Sequence, residues 1–357
     1  GEVFWAASDI GWQVGHSYIT YGPMLHGATA LMYEGKPVGT PDAGAFWRVV
    51  SQHNVRTLFT APTAIRAIRR EDPDAALIQD YDLSNLRALF LAGERTDPET
   101  LNWATRHLKI TVVDHWWQTE TGWPIAGNPI GVEELLVKPG STALPMPGWR
   151  VRCVDENSND VPAGKTGDII IEEPMAPGAL LTLWNADQRF VDSYFSQHPG
   201  HYASGDNGYI DEDGYVFILN RSDDVINVAG HRLSTGLMEE VVATHPQVAE
   251  CAVVGVADAL KGQMPVGLLV LKSGCDPDPK TLEGEVVALV RAKVGPVASF
   301  KHALMVKRLP KTRSGKILRK TIRQIADGSD WTMPATIEDA SALDEVERAL
   351  DAVTTTS

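Results

Sequence analysis

Cysteine is scarce in this sequence, and its three examples, Cys153, Cys251 and Cys275, form no Cys-x-x-Cys pair. That spacing gives no indication of a disulfide framework or a zinc site, and it suits a reducing compartment, which we take to be the cytoplasm. Basic residues are also outnumbered. The formal net charge of −14 argues against non-specific binding to nucleic acid or to an anionic membrane. No apolar run reaches the length of a transmembrane helix.

The start of the chain lacks both a Met and a basic segment ahead of Val3 and Phe4, so it does not resemble a signal peptide. We interpret Gly1 as a point within a domain, and an organelle signal upstream of it stays open. What remains is ordinary for a globular protein. The chain has 357 residues, enough for two or three domains, and 43% of them are apolar.

One stretch concentrates chemically active side chains where a buried strand gives way to a loop. The β-branched Val112 and Val113 predict the strand. Two Trp, a Gln, two Thr and a Glu follow, and Gly122 closes the loop. Because ligands bind at the C-terminal ends of strands in open α/β sheets, we predict a binding site here. The alternative is a strand end with aromatic packing and a Thr-rich turn.

The first part of the chain alternates strands and helices. Residues 57–60, 86–91 and 110–114 are typical of strands, and residues 45–53, 62–73 and 98–107 are typical of helices. This order predicts a parallel sheet with right-handed crossovers. The loop beginning Ala92-Gly93-Glu94 and the loop after Asp114 should therefore emerge at the same edge.

Two further patterns follow. Residues 127–220 show short strands at 149–154, 168–171 and 215–219, a short helix at 187–193, and turns at 162–167 and Asp213-Gly214. After Arg221, helices and strands alternate again, and residues 337–352 predict a surface helix. The expected fold is a multidomain α/β and α+β protein. We divide it into an α/β part (1–126), a β-rich subdomain (127–221) and a small mobile α+β domain (222–357).

The sequence Trp116-Trp117-Gln118-Thr119-Glu120-Thr121-Gly122 resembles the adenine- and magnesium-binding motif of acyl-adenylate-forming enzymes. It is most similar to that of acetyl- and propionyl-CoA synthetases. A second motif, Pro310-Lys311-Thr312-Arg313-Ser314-Gly315-Lys316, carries three cations on a glycine-containing loop and strengthens the resemblance. The resemblance implies an AMP-forming short-chain acyl-CoA synthetase that uses ATP, CoA and Mg²⁺.

The resemblance places the nucleotide on the large domain. Asp206 can accept both ribose hydroxyls, and Arg221 can return to it across the hairpin at Asp213-Gly214. Thr119 would contact phosphate, and Glu120 would hold Mg²⁺. The full set of implied nucleotide-binding residues is Gly93, Glu94, Arg95, Asp114, His115, Trp116, Trp117, Gln118, Thr119, Asp206 and Arg221.

The resemblance also implies roles after the boundary. Asp223 matches the hinge of the small domain, and Ala229 and Gly230 match a pantetheine tunnel in which no side chain projects. Arg232 would contact the AMP phosphate. The implied catalytic residues are Lys316, which is the adenylation lysine, Glu120 and Arg232. Arg291 would contact the nucleotide end of CoA, and Lys316 is an expected target of a lysine acyltransferase and deacylase.

The implied acyl pocket contains Gln13, Val14, Ala92 and Trp117. Trp117 matches a tryptophan that shortens the pocket in short-chain members, and Ala92 stands where acetate-specific members carry Val. The smaller Ala leaves room for about one or two extra carbons, and one methylene discriminates by about 1–3 kcal/mol. We therefore predict propionate as the acid. His16, beside Gly and Ser, is interpreted as a structural hydrogen-bonding residue.

The chain also departs from the family pattern. Asn220 replaces the usual Gly before Arg221, and Arg95 replaces the usual Pro after Glu94. The family's loop for the β- and γ-phosphates of ATP is missing. The run at Gly164-Lys165 is not a P-loop, since position 159 is Asn. The resemblance covers essentially the whole chain but only the C-terminal half or so of such an enzyme, so we expect a fragment.

Two other functions stay open from the sequence. An adenylation domain could acylate a carrier protein instead of CoA, with Gly230 and Arg291 as the discriminating residues. A non-catalytic remnant could bind nucleotide or a protein partner without turnover.

Overall fold

The computed structural model describes residues 1–229, 231–258, 260–313 and 315–354, without the side chains of Asp223, Arg232 and 352–354. The chain forms two compact units, Gly1–Ser222 and Asp223–Ser357. Separate groups of buried apolar side chains make up the core of each unit.

The first unit is built on a parallel sheet. Its strands are β1 (Val3–Ala7), β2 (Thr29–Leu31), β3 (Val55–Thr60), β4 (Ala88–Leu91) and β5 (Thr111–Asp114), in the spatial order β2-β1-β3-β4-β5. Leu91 is in register with both Thr60 and Asp114, so three strands end level with one another. The predicted parallel sheet is confirmed. β1 was not predicted, because a short strand that is apolar on both faces shows no two-residue alternation.

Helices connect these strands: α1 (Gly22–His26), α2 (Ala45–Gln52), α3 (Pro62–Glu71) and α4 (Pro98–Leu108). Pro begins both α3 and α4, where its missing N–H costs nothing. Asp97 Oδ1 accepts the Thr100 N–H at 2.8 Å and caps α4. Trp5, Trp47 and Leu58 are fully buried in the core between sheet and helices. The segment Gly15–Tyr21 is a π-helix that was not predicted.

The rest of the first unit is rich in short antiparallel strands. Its elements are β6 (Ala126–Gly127), β7 (Leu144–Pro145), β8 (Val151–Val154), β9 (Gly167–Glu172), α5 (Asp187–Tyr194), β10 (His201–Ile210) and β11 (Val216–Arg221). Strands β11-β10-β9-β8 form one sheet in that order. The predicted strands, the short helix and the hairpin at Asp213-Gly214 are confirmed. Residues 162–165 form a turn, closed by the Lys165 N–H on Pro162 O at 3.0 Å, as expected of a sequence that is not a P-loop.

A glycine between Ser204 and Asp206 favours a turn in the sequence, but all three residues lie inside β10. The register against β9 jumps from Ala203–Ile170 to Asp206–Ile169. Two residues are therefore inserted at this point as a bulge. Gly205 has φ of +67°, a conformation in which glycine is favoured. Bulges re-aim side chains, and this one precedes Asp206.

The second unit is an α+β fold. Its elements are β12 (Ile226–Val228), β13 (His231–Leu233), α6 (Thr235–Ala243), β14 (Val248–Asp258), β15 (Gly262–Leu271), α7 (Pro279–Lys293), β16 (His302–Met305), α8 (Arg319–Ala326) and α9 (Ser341–Thr354). The sheet runs β13-β12-β15-β14, with β16 also paired to β15. The predicted strands and helices in residues 237–325 are confirmed.

Side chains alternate across this sheet and bury both faces. Val253 and Leu269 pack with α6 and α7, whereas their neighbours Val254 and Leu268 pack with α8 and α9. The tail helix was predicted to lie on the surface. Its Val346 is fully buried, so α9 also covers one face of the sheet. Within the described ranges, no helix combines the length and apolar character needed to cross a bilayer.

Candidate active site

The loops that follow β4 and β5 define the candidate site in the first unit. The Ala92 N–H donates to Thr60 O at 3.2 Å, and the His115 N–H donates to Leu91 O at 3.1 Å. Each loop is therefore fixed to the neighbouring strand at the same edge of the sheet. This is the edge where open α/β folds bind ligands.

A small apolar cluster lies at this edge. Val14, Phe59 and Ala92 are buried in one cluster, and Tyr18 and Trp117 pack against it. The Tyr18 ring meets the Trp117 ring edge-on, with centroids 5.6 Å apart. The structure thus brings together three residues that the resemblance assigned to the acyl group: Val14, Ala92 and Trp117.

Gln13, the fourth residue that the resemblance assigns to the acyl group, has a polar side chain. Its amide nitrogen donates to Ser17 Oγ at 2.5 Å, inside the π-helix that follows. His16 lies on the same segment and is exposed.

A second group of contacts centres on Asp206, whose buried carboxylate comes from β10. Its Oδ2 accepts the Trp116 indole N–H at 2.9 Å and the Gln118 amide at 2.6 Å. Its Oδ1 lies 3.3 Å from Arg221 Nη1. Because Trp116, Gln118 and Arg221 contact this carboxylate, its orientation is set before any ligand is present.

The loop after β5 is held by residues far away in sequence. Gln118 accepts the Tyr202 hydroxyl at 2.9 Å and donates to Ser204 O at 2.7 Å. Arg221 Nη1 also donates to Ser204 O, at 3.1 Å. Burial raises the pKa of Tyr202, so its hydroxyl stays a donor. These contacts place Trp116 beside Asp206.

Glu120 is the residue assigned to Mg²⁺. Its Oε1 accepts the Tyr194 hydroxyl at 2.7 Å, and its backbone oxygen accepts the Leu180 N–H at 2.6 Å. Burial and the nearby Glu120 carboxylate raise the pKa of Tyr194 to about 12, so the phenol remains protonated. Thr119, beside Glu120, is exposed.

Glu120 offers one carboxylate to a Mg²⁺ ion. In the part of the chain that the structure describes, no three His, Cys, Asp or Glu side chains form a metal-binding group. Mg²⁺ is commonly held by one or two carboxylates together with substrate phosphates and water. A single carboxylate, half-buried and anchored by one phenol, fits that requirement when a triphosphate is bound.

The Gly93-Glu94-Arg95 run is positioned by α3 and α4. Glu94 accepts hydrogen bonds from Thr63 and Arg66, so its carboxylate is engaged by α3. Arg66 also bonds Asp97, the cap of α4, at 3.3 Å. Gly93 has φ of +102°, which explains the need for glycine at this turn. Glu94, which the resemblance assigns to the nucleotide, forms an ion pair with Arg66.

Asp114 and His115 are both buried where β5 ends. Burial raises the pKa of Asp114 to about 8, although nearby Thr96 and Arg95 oppose the shift. Burial lowers the pKa of His115 to about 4. At neutral pH both side chains are therefore uncharged. The His115 ring packs against Phe59 and Phe90, with centroids 5.3 and 5.6 Å away.

The second unit carries the basic loop. Lys316 is exposed, and its backbone N–H donates to Thr312 Oγ1 at 3.1 Å. Of the three cations expected on this loop, Lys311 is already engaged by Glu250, at 2.6 Å. Arg313 is exposed, like Lys316. The loop therefore presents two cations, not three, to a ligand.

The other assigned residues of this unit are only partly visible. Ala229 has φ of +50°, and its N–H donates to Lys261 O at 2.7 Å. Arg291 is exposed in the last turn of α7. Gly230 and the side chains of Asp223 and Arg232 lie outside the described residues.

Sequence reasoning missed several residues that build the site. Tyr194 and Tyr202 hold Glu120 and Gln118 from about seventy to ninety residues away in sequence. Arg66 holds Glu94 across 28 positions. No local pattern marks such partners. The one available signal was the unexplained density of aromatic residues between positions 190 and 202.

Comparison with known protein families identifies the family of this chain. A family model described as AMP-binding enzyme matches residues 1–178, and one described as AMP-binding enzyme C-terminal domain matches residues 237–316. The chain therefore belongs to the AMP-binding enzyme family, as the motifs indicated.

The chain is 50% identical to acyl-CoA synthetase short-chain family member 3, mitochondrial, of Mus musculus, over 98% of this chain and 52% of that protein. It is 44% identical to propionate–CoA ligase of Escherichia coli (strain K12), over 98% of this chain and 56% of that protein. A benzoate CoA ligase from Burkholderia xenovorans LB400 superposes with a TM-score of 0.77 at 26% identity, over 90% of this chain and 61% of that one. The chain spans about half the length of the curated relatives it matches.

Proposed function

We propose that the protein acts in AMP-forming activation of a short carboxylic acid, with propionate as the acid and CoA as the acceptor. One observation carries this proposal: the loop that holds Asp206 of β10 through Trp116 and Gln118 also carries Trp117, which packs in the apolar cluster of Ala92. A ribose acceptor and a small acyl site that are joined through one loop fit an acyl-adenylate. The relatives named for short-chain and propionate ligases support the same reading.

The proposed reaction has two steps. In the first, a carboxylate oxygen attacks the α-phosphorus of ATP, pyrophosphate leaves, and acyl-AMP forms. In the second, the CoA thiol attacks the acyl carbonyl, the thiol proton is lost, and AMP leaves. Neither step needs a protein nucleophile, so positioning and charge stabilisation supply the catalysis.

The residues of this chain have separate roles in the proposal. Asp206 and Arg221 bind the ribose, and Trp116 and Gln118 fix Asp206. Thr119 contacts the phosphate. Mg²⁺, when bound at Glu120, would neutralise phosphate charge. The nucleotide site is completed by residues of the loops described above: Gly93, Glu94, Arg95, Asp114, His115 and Trp117.

The second unit supplies the remaining charges. Lys316 stabilises the negative charge that develops on the α-phosphate, and its exposure leaves it accessible both to substrate and to a lysine acyltransferase. Arg232 would meet the same phosphate. Ala229, Gly230 and Arg291 would receive CoA, with Asp223 as the hinge between the two steps. The free cysteines support a reducing compartment, for which we propose the cytoplasm.

ATP–pyrophosphate exchange driven by propionate tests the first step. It should be measured on this chain and on the full-length gene product, since the chain spans about half of its relatives. Exchange followed by propionyl-CoA formation with free CoA supports the proposal. Exchange with transfer only to a carrier protein would favour a carrier-dependent adenylation domain. AMP binding without exchange in either protein would indicate a non-catalytic remnant.

A further inference from the structure

An open cavity of about 560 Å³ lies in the first unit where strands β4 and β5 begin, at the opposite ends of these strands from the candidate active site. Its lining includes Arg87, the residue before β4, and Lys109, which comes two residues before β5. Ala88 is in register with Thr111, so both cations enter from the same end of neighbouring strands. Small-molecule sites typically enclose about 300–1,000 Å³, so this cavity has the size of a ligand site.

The floor of this cavity is apolar. It is formed by Leu86, Leu101 and Val112, which are buried and belong to the core of the parallel sheet. Because their side chains form no hydrogen bonds, a ligand gains free energy from this floor only through apolar atoms. The cavity therefore favours a ligand with an apolar body.

The rim of the cavity carries positive charge that the protein leaves unpaired. Arg87 and Lys109 are exposed, and neither side chain forms a hydrogen bond or ion pair with another residue that the structure describes. Glu134 is the one acid among the described lining residues, and its Oε1 already accepts the Thr111 hydroxyl at 2.6 Å. Two cations and one acid match a ligand with a single negative charge, because a second negative group would meet Glu134.

The backbone at Lys109 adds a second observation. Lys109 follows α4 with φ of +55°, and its N–H donates to Thr105 O at 3.0 Å. Helices commonly end on glycine in this left-handed conformation, because a side chain there is strained. The chain therefore keeps a cation at the rim of the cavity at a cost in stability.

We propose that this cavity binds a small organic monoanion, with a carboxylate held by Arg87 and Lys109 and an apolar body on the buried floor. The Arg87 guanidinium can donate two parallel hydrogen bonds to a carboxylate, and Lys109 adds a second positive charge. An inorganic anion would leave the floor uncovered, and an organic cation would be repelled by the rim. The proposal does not depend on the acyl activation proposed above, because it concerns the other ends of the two strands.

The test compares three probes that share one alkyl chain length: octanoate, octanol and octylammonium. Their binding to the full-length gene product is measured by calorimetry without ATP or CoA, so turnover does not contribute. We expect octanoate to bind about tenfold tighter than octanol, and octylammonium to bind most weakly. A photoreactive octanoate with a diazirine in its chain should label peptides that contain residues 101–112 or 134–139.

Two variants remove the cations one at a time. Arg87→Gln should weaken octanoate binding about fivefold and leave octanol binding unchanged. Lys109→Gly should weaken octanoate binding about threefold without lowering the denaturation midpoint, because glycine is favoured in the conformation of Lys109. Arg106→Gln is the matched control. Arg106 is exposed near the end of α4 and does not line the cavity, so its replacement should leave octanoate affinity at the wild-type value.

Several results would overturn the proposal. Absence of octanoate binding, or equal affinity for octanoate and octylammonium, would show that the rim does not recognise a negative charge. Unchanged octanoate affinity in both Arg87→Gln and Lys109→Gly, or labelling confined to other peptides, would place the ligand elsewhere. A loss in Arg106→Gln as large as that in Arg87→Gln would reduce the effect to long-range charge.

Discussion

Gly205→Ala is the sharpest test of how the site holds Asp206. Gly205 has φ of +67°, and a Cβ added to it would lie 2.6 Å from Arg221 Nη2. Real Cβ atoms essentially never approach so closely, so the guanidinium must move. Arg221 Nη1 would then leave Ser204 O and Asp206 Oδ1, which lie 3.1 and 3.3 Å away.

The magnitude follows from two contributions. A non-glycine residue in the left-handed region costs about 1–2 kcal/mol. The Arg221–Asp206 contact adds little to stability, because the Arg221 side chain is 46% exposed and such pairs contribute about 1 kcal/mol or less. We expect the free energy of unfolding to fall by about 1–3 kcal/mol. AMP affinity should fall by about tenfold, since Asp206 loses one of its positioning donors.

Chemical denaturation measures the first effect and calorimetric AMP titration the second. Gly164→Ala is the control, because Gly164 has φ of +76° but open space around the added Cβ. It should show the backbone strain and no loss of AMP affinity. If Gly205→Ala binds AMP as tightly as Gly164→Ala does, Arg221 does not position Asp206 and the reasoning is refuted.

Three further predictions follow from the same structure. Trp117→Gly should let the pocket accept longer acids, measured by competition among acids of increasing length, and an unchanged length preference would contradict the pocket assignment. Lys316→Gln should lower acyl-adenylate formation by about a hundredfold or more, with AMP affinity retained. Lys320→Gln, an exposed cation on α8, should change neither. The third prediction is that stability depends on pH. Burial raises the pKa of Asp114 to about 8 and lowers the pKa of His115 to about 4. Between about pH 4 and 6.5, Asp114 makes the free energy of unfolding fall as pH rises and His115 makes it rise, so the two effects oppose each other. Between about pH 6.5 and 8, Asp114 alone stays protonated when folded but ionises when unfolded, so the free energy of unfolding falls as pH rises. Asp114→Asn should remove that fall in denaturation curves, and a wild-type slope in the variant would rule out Asp114 as its source.

Local patterns predicted the elements whose partners are adjacent in the chain. Leu89 and Val112 lie in strands that alternate with helices, so their parallel pairing and the shared edge at Ala92 followed from connectivity. The hairpin between β10 and β11 was equally local. Asp206 and Arg221 are paired directly across that hairpin, so the spacing of the two residues in the sequence was enough to predict their contact.

The remaining features depend on contacts that no local pattern encodes. The bulge at Gly205 arises from a register shift against β9, a strand more than thirty residues earlier in the chain. Glu94, which the resemblance assigns to the nucleotide, pairs with Arg66 on a separate helix. Lys311 of the basic loop pairs with Glu250 of β14. Each of these contacts joins residues that are far apart in the sequence.

Ala92 has a consequence for how such a protein can change its preference for an acid. Its main chain is tied to Thr60, while its side chain is a single methyl group directed into a cluster of apolar neighbours. The backbone position of Ala92 and the size of its side chain are thus independent of each other. Under the proposed function, exchange of this one small side chain for another would change the preferred acid and leave the contacts of Asp206 with Trp116 and Gln118 intact.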